Sequence, residues 1–130
     1  MIVASKLTEL LANYVHDGIL SVILADRDGR ILAYSGGSLA SARALAAIID
    51  NAWLAYNRHG TPITTENEAL KSLWIQNENA SHVVLKVSDF LLCLTATPNS
   101  NVNVLAKKAE DLASKLSPLV ELKNSVNLLP

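Results

Sequence analysis

The sequence predicts an α+β domain in which three helices cover one antiparallel sheet. Two observations predict it. Five short segments are either apolar throughout or alternate in polarity, and turn-forming residues bound them. Three longer segments carry apolar residues at helical spacing, one at each end of the chain and one in the middle. The order is therefore α-β-β-α-β-β-β-α, and such elements bury their apolar faces by layering helices on a sheet. With 130 residues the chain fits one domain.

The first helix is expected from Val3 to Val15, where Val3, Leu7, Leu10, Leu11 and Tyr14 share one face, and Asp17-Gly18 stops it. Ile19 to Ala25 is almost continuously apolar, as a strand covered on both faces would be. Asp26 to Gly29 forms a hairpin turn in which Gly29 supplies the positive φ. Arg30 to Ser35 returns as the second strand, and Ser35-Gly36-Gly37-Ser38 breaks it. A long helix follows from Leu39 to His59, ended by Gly60 and Pro62. After a polar loop, Leu70 to Gln76 reads as a strand and Asn77 to Asn79 as its turn. In His82 to Val87, Val83, Leu85 and Val87 point one way and His82, Val84 and Lys86 the other. Phe90 to Ala96 is apolar on both faces, as a central strand requires. Asn101 or Asn103 caps the last helix, with Val102, Leu105, Ala109, Leu112, Ala113 and Leu116 as its buried stripe. Pro118 is expected to end or kink it.

Half the residues are hydrophobic and 18% are charged, the balance of a globular chain. The net charge of -1 and the lack of a basic stripe argue against nucleic acid as a partner. Cys93 is the only cysteine, so no intramolecular disulfide is possible, which fits a reducing compartment. Lys6 and Glu9 interrupt the first apolar stretch, so no signal peptide is expected, and no run reaches the ~20 apolar residues of a membrane span. Ile2 and the final Leu-Leu-Pro do not match lipidation motifs. No direct membrane insertion is expected, and any membrane address should come from a partner.

Motifs for catalysis are absent. Gly36-Gly37 lacks the spacing and the lysine of a phosphate loop, and Ser35 and Ser38 read as turn residues. His16, His59 and His82 are too scattered for a metal, and no cofactor is expected. His82 and Cys93 could meet across strands, with Asp89 nearby, as a base and a nucleophile. A buried inert thiol is the plainer reading of Cys93 inside Phe-Leu-Leu-Cys-Leu. Asp26 and Asp28 are read as solvated turn residues.

Two features ask for a partner. The middle helix divides into three stripes at about 100° per residue. Leu45, Ile48, Ile49, Ala52, Trp53 and Tyr56 make a bulky stripe expected on the sheet, and Arg43, Asp50 and Asn57 a polar one. Between them run Ala40, Ala44, Ala47, Asn51 and Ala55, small residues that admit a second helix at close range. The alternative is that alanine is simply the best helix former. The second feature is Leu73-Trp74-Ile75, an apolar run that needs a pairing strand if it lies at a sheet edge. Alternatively, Trp74 lies under the Thr61–Glu68 loop.

The run from Ile23 to Gly36, ending Leu32-Ala33-Tyr34-Ser35-Gly36, and the helix end Asn51-Ala52-Trp53-Leu54-Ala55-Tyr56-Asn57-Arg58-His59-Gly60 carry a family resemblance. Together with the element order, they resemble the Roadblock/dynein light chain superfamily, and within it the Roadblock-type subunits of Ragulator. The likeness extends from the first helix to Pro118, giving a Roadblock domain over 1–120 and a C-terminal tail over 121–130. Departures are Gln76-Asn77, the Asn99 to Asn103 loop and the Val126 to Pro130 tail.

The resemblance implies a five-stranded antiparallel sheet in the order 2-1-5-4-3. The long helix covers one face and the terminal helices the other. It implies pairing with a second Roadblock-type subunit through the third strand, at Leu73, Trp74 and Ile75, and through the long helix, at Ala40, Ala44, Ala47, Asn51 and Ala55. It further implies a non-catalytic adaptor that meets Rag-type GTPases in the assembled complex. A lipidated membrane-anchoring subunit would hold that complex on the cytoplasmic face of late endosomes, lysosomes or vacuoles. There it would serve amino-acid signalling to the TOR kinase complex and MAP kinase signalling. The alternatives are a Roadblock light chain of dynein and a Roadblock regulator acting directly on a small GTPase.

Overall fold

A computed structural model describes the backbone of residues 2–58 and 72–128 and the side chains of residues 5–55 and 72–120. Helix α1 (Ile2–Ala12) leads into β1 (Ile19–Asp26) and β2 (Ile31–Ser35). Helix α2 (Leu39–Arg58) separates these from β3 (Ser72–Gln76), β4 (Ser81–Val87) and β5 (Phe90–Ala96), and α3 (Val102–Leu128) closes the order. The strands form one sheet, β2-β1-β5-β4-β3, antiparallel at every junction. The expected α+β class and strand order are both present. The expected Thr61–Glu68 loop lies outside the described residues.

Local stereochemistry sets the punctuation. After α1, Asp17 and Gly18 both take positive φ and turn the chain into β1. At the β1–β2 hairpin Gly29 sits at φ +82°, and the Asp26 carboxylate accepts from the backbone N–H groups of Asp28 and Arg30. A Cβ on Gly36 would lie 2.3 Å from the Leu20 carbonyl oxygen, so only glycine lets the chain leave β2 there. Asn101 caps α3 by accepting from the N–H groups of Asn103 and Val104.

One sheet face carries α1 and α3. Leu7 and Leu11 of α1, Tyr14 just after its end, and Leu105, Ala109, Leu112 and Leu116 of α3 are buried against Val22, Leu24, Val83, Leu85, Leu92 and Leu94. The Tyr14 hydroxyl ties these helices together: it donates to Asp111, and Lys115 Nζ donates to it at 2.9 Å. Among the described residues, the other face carries only α2. Its Ala42 and Ala46 meet Ile23 and Ala25, and its Ile49 and Trp53 meet Leu73, Val84, Leu91 and Cys93. Helix α2 therefore crosses obliquely, from β1 and β2 at its start towards β3 at its end.

Three expectations are corrected. Helix α3 runs through Pro118 to Leu128 instead of ending there. Proline removes one N–H, while the buried Leu116 and Val120 hold both sides of it on the core. Leu20 is exposed rather than covered, because the β1–β5 register shifts between Ile19 and Ser21. Ile48, assigned to the sheet-facing stripe, is 59% exposed. The alanines Ala42 and Ala46 fill the sheet-facing positions instead, bringing α2 close to β1.

Candidate partner-binding surface

The exposed side of α2 is built around its small residues. Ala40, Ala44, Ala47, Asn51 and Ala55 all face solvent. Ile48 borders them on one side and Leu54, 39% exposed, on the other. The result is an apolar face with one amide, Asn51, at its centre. The sequence reading missed both flanks; Leu54 was detectable as the residue 60° from Asn51 on the side of Ala47.

The two ends of the small-residue stripe are not equivalent to its middle. Ala47 lies beside the β1–β2 hairpin, where a Cβ on Gly29 would be 3.9 Å from the Ala47 Cα. The polar stripe meets the same hairpin at Asp50. Burial raises the pKa of the Asp50 carboxyl; Arg27 opposes that, and Asp28 and Asp26 add to it. Ala44 is exposed on the same face and serves as a probe of it.

Among the described residues, strand β3 is an edge of the sheet and pairs with β4. Its three predicted contact residues are divided between faces. Leu73 is buried under Trp53, and Ile75 is half-buried on the same side. Trp74 lies opposite Val83, on the face of α1 and α3, and is 47% exposed. An exposed tryptophan on an unpaired edge is the arrangement that a pairing strand relieves. Ile75 and the α2 face share one side, so a partner that extends the sheet also meets the helix.

The residues considered for chemistry do not converge on a reactive centre. Burial pushes the Cys93 thiol up to about 12. His82 Nδ1 is 2.8 Å from Thr95 Oγ1, while Cys93 Sγ is 3.9 Å from that same hydroxyl, so Thr95 lies between them. Asp89 is exposed in the β4–β5 turn, one residue before Phe90, which pairs with Val87. Asp26 is held by its own turn: burial acts to raise its carboxyl, but hydrogen bonds from Arg30 and Asp28 and the Arg30 charge bring it below the usual range. His16 is paired only with exposed Asp17. Among the described residues no group of three or more His, Cys, Asp and Glu side chains is placed to hold a metal ion. None of the described helices is long and apolar enough to cross a membrane.

A five-stranded antiparallel sheet with one long helix on one face, two terminal helices on the other and the third strand at its edge is the architecture of a Roadblock-type domain. The Roadblock/LC7 domain family matches residues 6–96, and the chain belongs to that family. The fold is shared with a Roadblock/LC7 domain from Streptomyces avermitilis at 17% identity and TM-score 0.77, covering 89% of this chain and 96% of that one. It is also shared with MglB in a tetrameric arrangement, at 16% identity and TM-score 0.81 over 93% and 92% of the two chains. The gliding protein MglB from Thermus thermophilus shares it at 16% identity and TM-score 0.79, over 93% of each chain.

Proposed function

We propose that this chain is a non-catalytic scaffold that pairs with a second Roadblock-type subunit and acts on small GTPases as part of the pair. The observation that carries the reading is the exposed small-residue face of α2 together with the β3 edge, whose Trp74 lies on the opposite sheet face. Ile48 and Leu54 on α2 and Trp74 on β3 are three of the six large apolar side chains left exposed among the described residues, with Leu20, Leu39 and Val104. The partner would extend the sheet at β3 and lay its own long helix along Ala40, Ala44, Ala47, Asn51 and Ala55.

The finer assignment is a Ragulator-like complex, with the pair as a heterodimer. It rests on the Ile23–Gly36 and Asn51–Gly60 stretches. In that setting the pair docks Rag-type GTPases for amino-acid signalling to the TOR kinase complex, with a further role in MAP kinase signalling. A lipidated subunit supplies the late-endosomal, lysosomal or vacuolar address. A second reading is a Roadblock regulator acting directly on a small GTPase. It is supported by the fold that the chain shares with MglB.

Affinity capture of the tagged chain followed by mass spectrometry separates these readings. The expected result is a second Roadblock-type subunit, Rag-type GTPases and a lipidated anchor. Recovery of a lone small GTPase would move the assignment to the direct regulator, and dynein intermediate chain would move it to the motor. Fluorescence imaging after removal of the lipidated subunit should show the chain released to the cytosol.

A further inference from the structure

Among the described residues, the oblique path of α2 leaves one corner of its sheet face with no helix over it. The corner comprises half-buried Ile75 at the end of β3, half-buried His82 at the start of β4 and, beneath them, buried Thr95 near the end of β5. His82 is the cross-strand neighbour of both Ile75 and Thr95, and it alternates with Val84, which lies under α2. Its imidazole is half-buried, with Nδ1 2.8 Å from Thr95 Oγ1.

The geometry of an extended sheet says what covers this corner. Two edge strands paired antiparallel about a two-fold axis turn the end of one towards the start of the other. In this chain the later half of α2 lies over the start of β3, where Trp53 packs on Leu73. The corresponding half of a partner's long helix therefore falls over the end of β3, beside Ile75 and His82.

We propose that the corner formed by Ile75, His82 and Thr95 belongs to the partner surface, that the C-terminal half of the partner's α2 closes it, and that His82 thereby makes the pairing weaken in mild acid. The inference rests on the pairing reading above. A neutral imidazole bonded to Thr95 tolerates closure under an apolar helix, whereas an imidazolium there is a cation removed from water without a counterion.

Among the described residues, no charged group faces His82 from the elements around it. Strand β5 presents Thr95 and the neutral Cys93 thiol, β3 presents Ile75, and β1 presents Ser21. Helix α2 turns Arg43 and Asp50 to its other flank, with Asp50 towards Arg27 and Asp28. Lys86 lies four residues along β4, about 13 Å away at strand spacing. Burial alone already holds the His82 pKa below its ordinary value in the single chain, and closure acts in the same direction. Pairing is then at full strength above the single-chain pKa. It weakens as the pH falls from there towards the lower pKa of the pair.

Sedimentation of the assembled pair at pH 7.5 and pH 5.0 tests this, with circular dichroism confirming that the subunits stay folded. The pair should bind roughly tenfold more weakly at the lower pH, in the direction that a lowered His82 pKa requires. His82→Gln, which keeps a hydrogen-bonding group for Thr95, should pair at pH 7.5 and lose most of the pH response. His82→Lys should pair poorly even at pH 7.5. An unchanged pH response in His82→Gln, or normal pairing of His82→Lys, overturns the inference while leaving the pairing itself standing. A chain that stays monomeric at pH 7.5 and captures no second Roadblock-type subunit removes the pairing reading, and the inference falls with it.

Discussion

The two faces of the sheet are closed to different degrees. On one face, α1 and α3 together cover Val22, Leu24, Val83, Leu85, Leu92 and Leu94, and Tyr14 fastens the two helices to each other through Asp111 and Lys115. On the other, α2 buries Ile23, Val84, Leu91 and Cys93 but leaves Ile48, Leu54 and the Ile75–His82 corner partly or wholly in water. The first face is closed by two helices of the same chain, whereas the second leaves apolar side chains exposed, and it is the face on which the proposed pairing would place a second chain.

The contrast makes substitutions on the two faces separable. The largest effect is expected on the closed face. Leu92→Ala should destabilise the isolated chain by about 2–5 kcal/mol, because a fully buried leucine leaves both lost transfer energy and a cavity. Chemical denaturation measures it, and a loss below about 1 kcal/mol would mean that this core is looser than its packing indicates.

Ala44→Glu reverses the pattern. The isolated chain should stay within about 0.5 kcal/mol of wild type, since the position is exposed. Partner binding should fall by about 2 kcal/mol or more, because the pair would bury a charge without a counterion. Trp74→Lys should act in the same direction through the lost cross-strand contacts. Size-exclusion chromatography with the partner, beside thermal melts of each variant, gives both readouts. An unfolded Ala44→Glu chain would show that this side of α2 belongs to the domain's own core.

Smaller effects sharpen the comparison. Tyr14→Phe removes the hydroxyl between α1 and α3 and should cost the fold about 0.5–1.5 kcal/mol in denaturant melts, with no change in pairing. At the low end, Cys93 under α2 should not react with a thiol reagent in the native chain at pH 8, because burial keeps it protonated. Rapid labelling without denaturant would show that α2 opens readily.

The folded chain also carries a pH dependence of its own. Burial lowers the His82 pKa in the fold, so the unfolded chain binds more protons below about pH 6.5. Stability is therefore full above that value and declines as the pH falls from there towards the folded pKa. His82→Gln should flatten that part of a stability–pH profile.

Much of the architecture was legible in the residues because it is set locally. Asp17-Gly18, Gly29 and Gly36 mark turns whose φ values few other residues adopt, and Asn101 marks the α3 cap. The alternation of His82 to Val87 placed Val83, Leu85 and Val87 on one face without any knowledge of their neighbours. The small-residue stripe of α2 was likewise visible as a period.

What the sequence left open is what depends on where the sheet sits. Periodicity fixes the angles between side chains on α2 but not which of two adjacent apolar directions meets the strands. Ile48 is large and apolar, yet the sheet lies against Ala42 and Ala46, whose size allows the close approach. In the same way, Leu73 and Trp74 are both apolar, and only pairing with β4 shows that the first is core and the second surface. Pro118 reads locally as a stop, but the burial of Leu116 and Val120 carries the helix past it. Turns and periods are properties of neighbouring residues and can be read along the chain. Burial is a property of packed layers, and only the tertiary structure decides it.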